Sequence, residues 1–207
     1  MNLMGDKCFR RLIILFDKKD EEQIVNVQGL NLQQIHKELS EDGIEVVWEF
    51  VKAEDCANQI QERITNPDIV DNWYLSDGKQ NLYLTDSPWI QEVLRLWGFY
   101  VAALVHEGNA DVRFPNAKYL FEGLNSLDPV YLKQAYERLA GLPWDILETE
   151  HLAVRESTVE DVDEFYRIYK EPSITRYMDD LFREPDMERA YMRNYIQRIY
   201  GFYGYGL

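Results

Sequence analysis

The stretch NLYLTDSPWIQEVLRLWGFYVAALV, residues 81 to 105, constrains the fold more than any other part of the chain. Leu82 and Leu84 lie in a short apolar run suited to a strand. Ser87 stands where a helix N-cap belongs, with Pro88 in the first turn, and Ile90, Val93, Leu94 and Trp97 recur at helical spacing to form an apolar face. Gly98 ends that helix and FYVAALV opens a second strand. A strand–helix–strand unit of this length implies parallel pairing through a right-handed crossover.

The neighbouring segments extend the pattern. RRLIILF (10 to 16) is expected to be a buried strand that breaks into the charged run DKKDEE, and IEVVWEFV (44 to 51) a second one. Between them LQQIHKELSEDG spaces Leu32, Ile35 and Leu39 as a helix does and stops at Gly43. AEDCANQIQERI (53 to 64) carries Cys56, Ile60 and Ile64 on one stripe, with Pro67 after it. AKYLFEG (117 to 123) reads as a strand, and a helix opens at Asp128-Pro129 and ends near Gly141. The alternation predicts an α/β fold: an open, mostly parallel Rossmann-like sheet with helices on both faces. A boundary is expected in GLPWDILETE, dividing the chain into a domain over 1–145 and a segment over 146–207.

Composition narrows the function classes. The net charge is −15; residues 1 to 150 hold 14 basic and 26 acidic side chains, and residues 151 to 207 hold 8 and 11. Nucleic-acid binding draws its affinity from clustered Lys and Arg, so nucleic acid is not an expected partner. No run approaches the ~20 apolar residues of a membrane span, and the apolar run near the N-terminus is only about five residues, too short for a secretory signal; a cytoplasmic protein is expected. Cys8 and Cys56 are read as isolated thiols, and His36, His106 and His151 show no ligand spacing, so no metal is assigned.

Residues 151 to 207 carry a second pattern. LAVRES supplies a strand; TVEDVDEFYRIYK supplies a helix capped by Thr158 with Asp161 three residues on, with Val162, Phe165, Ile168 and Tyr169 on one apolar face; PSITRYMDDL supplies a second helix. Glu160, Asp161, Asp163 and Glu164 are read as a solvated acidic first turn. On LAVRES, the helix after it and EPSITRYM, this region resembles the N-terminal part of a GCN5-related N-acetyltransferase (GNAT) domain, here an incomplete β-α-α segment.

The resemblance implies a portion of an N-acyltransferase that moves an acetyl group from acetyl-CoA to an amine acceptor. It also implies a diphosphate held by main-chain N–H groups of a Q/R-x-x-G-x-G/A loop at the start of a helix. RIYGFYGYGL (198 to 207) has Tyr203 where that loop wants a small residue, so it is read as a helix end entering a strand, GFYGYGL. Acetyl-CoA is therefore not expected to bind this chain, which is expected to be inactive alone, and no general base is named. A terminal strand edge would favour a homodimer through the C-terminal segment.

In the first region the candidate ligand residues are Asp17, Thr85, Asp86 and Ser87, because polar side chains at strand ends of an open sheet face the usual ligand crevice. His106, Glu107, Gly108, Asn109 and Arg113 follow the next strand and can face the same place. Asp17 and Thr85 faintly resemble the haloacid-dehalogenase-like plan, although Lys19 replaces its second Asp. The alternative function is accordingly a non-catalytic small-ligand-binding or scaffolding α/β protein. Thr85, Asp86 and Ser87 are otherwise explained by helix capping, and Trp73, Tyr74, Trp89 and Trp97 by packing in the core or between domains.

Overall fold

A computed structural model of the chain describes residues 9–20, 32–52, 54–58, 62, 79–176 and 180–203. Ile60, Ile64, Pro67, Cys8, Trp73 and Tyr74 lie outside the described residues. Two compact units, Met1–Gly141 and Leu142–Leu207, make up the chain.

The first unit runs β1 (Arg11–Asp17), helix α1 (32–41), β2 (Glu45–Val51), helix α2 (54–58), β3 (Asn81–Thr85), α3 (Pro88–Leu96), β4 (Val101–Val105), β5 (Leu120–Glu122) and α4 (Pro129–Ala140). All five strands are parallel, in the order β2-β1-β3-β4-β5. Such an order belongs to a doubly wound sheet, in which the chain first winds to one side of β1 and then to the other.

Sheet burial explains why the strands read as unbroken apolar runs. Ile13, Leu15 and Tyr83 on one face and Leu12, Ile14, Phe16, Leu82 and Leu84 along the strands are all inaccessible to solvent. Ile13, Leu15, Tyr83 and Val101 pack with Cys56 of α2 and with Ile90 and Leu94 of α3, so these two helices cover that face. On the opposite face His36 of α1 meets Trp48, and Tyr131 of α4 meets Phe121. Each fully buried Leu or Ile contributes roughly 1.5–3 kcal/mol.

The ends of α3 and α4 are written in the local sequence. Pro88 and Pro129 occupy the first turns, Asp128 accepts a hydrogen bond from the Tyr131 amide at 2.9 Å, and Gly98 and Gly141 turn the chain at φ of 78° and 70°. Two expectations need correction here. Trp89 and Trp97 are 58% and 49% exposed rather than packed, and Trp97 does not complete the buried face of α3 because it is the C-cap, past the last helical residue Leu96. The strand expected over 117 to 123 is confined to Leu120–Glu122.

In the second unit β6 (Asp145–Glu148) pairs antiparallel with β7 (Ala153–Arg155), followed by a 3-10 turn (Val159–Asp161), α5 (Val162–Tyr169), α6 (Pro172–Thr175), α7 (Pro185–Tyr195) and a π-helical segment, Ile196–Tyr203. The strand, helix, helix order expected after Leu152 is present.

Three details differ from expectation. Val162 is buried, whereas Phe165 and Tyr169 are half-buried and Ile168 is exposed, so only one residue of that apolar stripe is core. Asp161, Asp163 and Glu164 are not merely solvated: they pair with Arg155, Arg189 and Arg167. Residues 201 to 203 continue a helix instead of starting a strand, which removes the terminal strand edge there; residues 204 to 207 lie outside the described set. Among the described residues no helix is long and apolar enough to cross a membrane.

Candidate functional site

Parallel strands end together, so the residues after β1, β3 and β4 gather along one edge of the sheet. Between β1 and β3 the chain changes winding direction, and in open α/β sheets the carboxyl ends of the strands at such a point are where ligands usually bind. Asp17, the last residue of β1, and Thr85, Asp86 and Ser87, at the end of β3, all fall there. His106 follows β4 directly and begins a short 3-10 turn, Glu107–Asn109.

Asp86 is the hub. Its Oδ1 accepts a hydrogen bond from the Asp17 backbone N–H at 2.7 Å, and its Oδ2 lies 3.2 Å from His106 Nε2. The Gly108 backbone N–H donates to His106 Nδ1 at 3.1 Å, so Nδ1 is bare, the ring is neutral, and Nε2–H donates to Asp86. Asn109 completes the set: its Oδ1 accepts from the His106 N–H at 2.6 Å, and its Nδ2 donates to the carbonyls of Asp86 and Leu104, both at 3.0 Å.

The side chains of Asp86 and His106 are 0% and 1% exposed. A buried carboxylate is tolerated only when it is hydrogen-bonded, and here the two donors come from two neighbouring strands. Both imidazole nitrogens are engaged and neither reaches solvent, so His106 has no route to a substrate proton. The Asp86–His106–Asn109 network therefore acts as a staple holding the ends of β1, β3 and β4, and exposed chemistry at this edge falls to other groups.

Asp17 is one of them. Its carboxylate is 17% exposed, accepts from the Lys19 backbone N–H at 3.2 Å and sits 3.3 Å from Lys19 Nζ. Thr85 is buried, and its hydroxyl oxygen accepts the Ser87 N–H at 3.2 Å. With Lys19 paired to Asp17 and the Thr85 hydroxyl turned to the backbone, the phosphatase-like plan is not assembled. Ser87 holds the N-cap position of α3, but its side chain makes no cap hydrogen bond, contrary to the capping expectation. Arg113 is exposed and makes no hydrogen bond to Asp86 or His106. Among the described residues no group of three or more His, Cys, Asp or Glu side chains is placed to hold a metal ion.

Strand-end logic singled out Asp17, Asp86 and His106 in the sequence. Asn109 was placed there with them, but the bonds it makes to His106, Asp86 and Leu104 were not visible, because a side chain's partner is set by how strands and turns meet rather than by spacing. Comparison of the chain with protein-family models, curated proteins and solved structures returns no match.

Proposed function

We propose that the region 146–207 is the acceptor-side opening of an acetyl-CoA-dependent N-acyltransferase of the GNAT type. The observation that supports this reading is the order of elements at the matching phrases: β7 within LAVRES, a helix entered at Thr158 with Asp161 as its reciprocal partner, and the short helix α6 opening at EPSITRYM. Thr158 N–H and Oγ1 both donate to Asp161 Oδ2, at 2.7 and 3.1 Å, and Arg155 clamps the same carboxylate at 2.6 and 2.8 Å, which fixes the strand-to-helix corner.

The described residues do not fit the coenzyme. Its diphosphate wants a glycine loop opening a helix, and Arg198–Tyr203 instead lies inside a π-helical segment with Tyr203 at the small-residue position. No step through acetyl-CoA is assigned to them. The test is CoA thiol release by the full-length gene product given acetyl-CoA and a panel of amines. Release that requires the amine is expected; a product that neither binds acetyl-CoA nor releases thiol overturns the reading.

For the first unit, the reversal of winding between β1 and β3 favours a small-ligand-binding domain with its crevice at Asp17 and Ser87. A ligand screen followed by amide chemical shifts tests it: shifts are expected at Asp17 and Ser87, and a screen that moves neither overturns it.

A further inference from the structure

The two edges of the five-stranded sheet are built differently. β5 closes one side with three residues, Leu120–Glu122, and an edge so short offers little for another strand to pair with. β2 closes the other with seven residues, EVVWEFV, a run rich in the β-branched and aromatic types that favour strands. It is hydrogen-bonded to β1, and among the described residues no strand stands on its outer side. A long apolar edge of this kind is a template for a second chain.

Glu49 interrupts that run. It stands in register with Leu15 of β1 and between Val47 and Val51 on its own strand, so it shares the face on which Ile13, Leu15 and Val51 pack with Cys56 of α2. Glu49 is half-buried, yet its Oε2 is closed to solvent and has no hydrogen-bond partner. Burial, with no charged neighbour contributing, holds its carboxyl above the ordinary value of 4.5. The other carboxylates on this face of β1 and β2 are matched, Glu45 by Arg11 at 2.7 Å and Asp17 by Lys19 at 3.3 Å. A buried acceptor without a donor costs free energy, so stability alone would favour Val or Thr at this position.

We propose that Glu49 guards the open edge of the sheet, its carboxylate keeping β2 of one chain from pairing with β2 of a second copy. Two-fold antiparallel pairing over the whole strand puts Trp48 opposite its own counterpart and Glu49 opposite Val47, which leaves the carboxylate without a donor and brings the two Glu49 side chains into diagonal proximity. Slipping the register while keeping the faces matched is worse. Glu49 then lies opposite a second Glu49, or opposite Glu45, whose partner Arg11 is already engaged. Like charges directly opposite one another destabilise a strand pair, so every such register is penalised through this one side chain.

The test measures the mass of the full 207-residue chain by light scattering at pH 7 over a range of concentrations. Glu49→Val and Glu49→Thr are each expected to double that mass as concentration rises, with hydrogen exchange at the β2 amides slowing in step; the natural chain should show neither change. Variants that match the natural chain in mass and in β2 exchange overturn the proposal. Doubling without slower exchange at β2 places the contact elsewhere and overturns it too. So does a natural chain whose β2 amides become protected on concentration, since the edge would then pair with the carboxylate in place.

Thermal stability supplies an independent readout. At concentrations too low for pairing, Glu49→Val removes an acceptor that has no donor, so its Tm should lie roughly 2–4 °C above that of the natural chain. A Tm lower by that much would mean that the carboxylate stabilises the fold, and would count against the proposal.

Discussion

His106 Nε2 and Asp86 Oδ2 lie 3.2 Å apart with both side chains closed to solvent, joining the end of β4 to the end of β3. Replacing Asp86 by Ala leaves the His106 N–H and the Asp17 backbone N–H as buried donors without acceptors. Each orphan costs ~1–3 kcal/mol, so Asp86→Ala is expected to destabilise the first unit by about 3 kcal/mol or more. Asp86→Asn should cost less, since one amide oxygen still accepts. Urea denaturation followed by far-UV circular dichroism checks both, and an Asp86→Ala protein of unchanged midpoint would refute the staple.

Asn109 makes three hydrogen bonds that no other residue type supplies together: one accepted from His106 N–H and two donated, to the carbonyls of Asp86 and Leu104. Asn109→Asp keeps the shape but turns the donating nitrogen into an oxygen facing two carbonyls, and brings a negative charge beside Asp86. It should therefore destabilise more than Asn109→Ala, by about 1 kcal/mol or more. The same urea titration ranks them; the reverse order would mean that Asn109 matters only for its bulk.

The strands at the centre of the sheet were legible because burial on both faces forces runs such as LIILF, and α3 and α4 were legible because Pro and Gly punctuate them. β6 was not. Its four residues, Asp145–Glu148, are all exposed and follow Leu142-Pro143, so they carry neither a run nor an alternation and read as linker. The aromatic and glycine content of residues 201 to 203 suggested a strand, yet they continue the helical segment begun at Ile196, where the surrounding chain outweighs local propensity. At the site, the positions of Asp17, Asp86 and His106 followed from topology, while the failure of Ser87 to cap α3 depends on a rotamer that residue spacing does not encode.

Cys56 is wholly buried against Ile13, Leu15 and Ile90, and that burial pushes its thiol up to about 11. At pH 8 only about one such thiol in a thousand is ionised, and the thiolate is the reactive form. In a Cys8→Ser protein, Cys56 is expected to react with Ellman's reagent far more slowly than free cysteine and to become fully reactive in denaturant. Rapid reaction under native conditions would place the thiol at the surface and contradict the packing of α2 on the sheet.

Acid should act on the second unit through Asp161. The Arg155 guanidinium, with help from Thr158, holds its carboxyl down to about 2, against an ordinary value of 3.8. A depressed folded-state pKa means that the folded form favours the ionised group; the stabilisation is fully present above about pH 4 and is lost as pH falls through about 2. Partial exposure of the pair, 43% for Arg155 and 22% for Asp161, keeps the effect modest. Asp161→Asn removes the titrating group, so the Tm difference between the natural chain and this variant is expected to stay constant from pH 7 to 5 and to shrink between pH 4 and 2. A difference that does not change across that window would mean that the clamp is absent in solution, and with it the rigid corner that links β7 to α5.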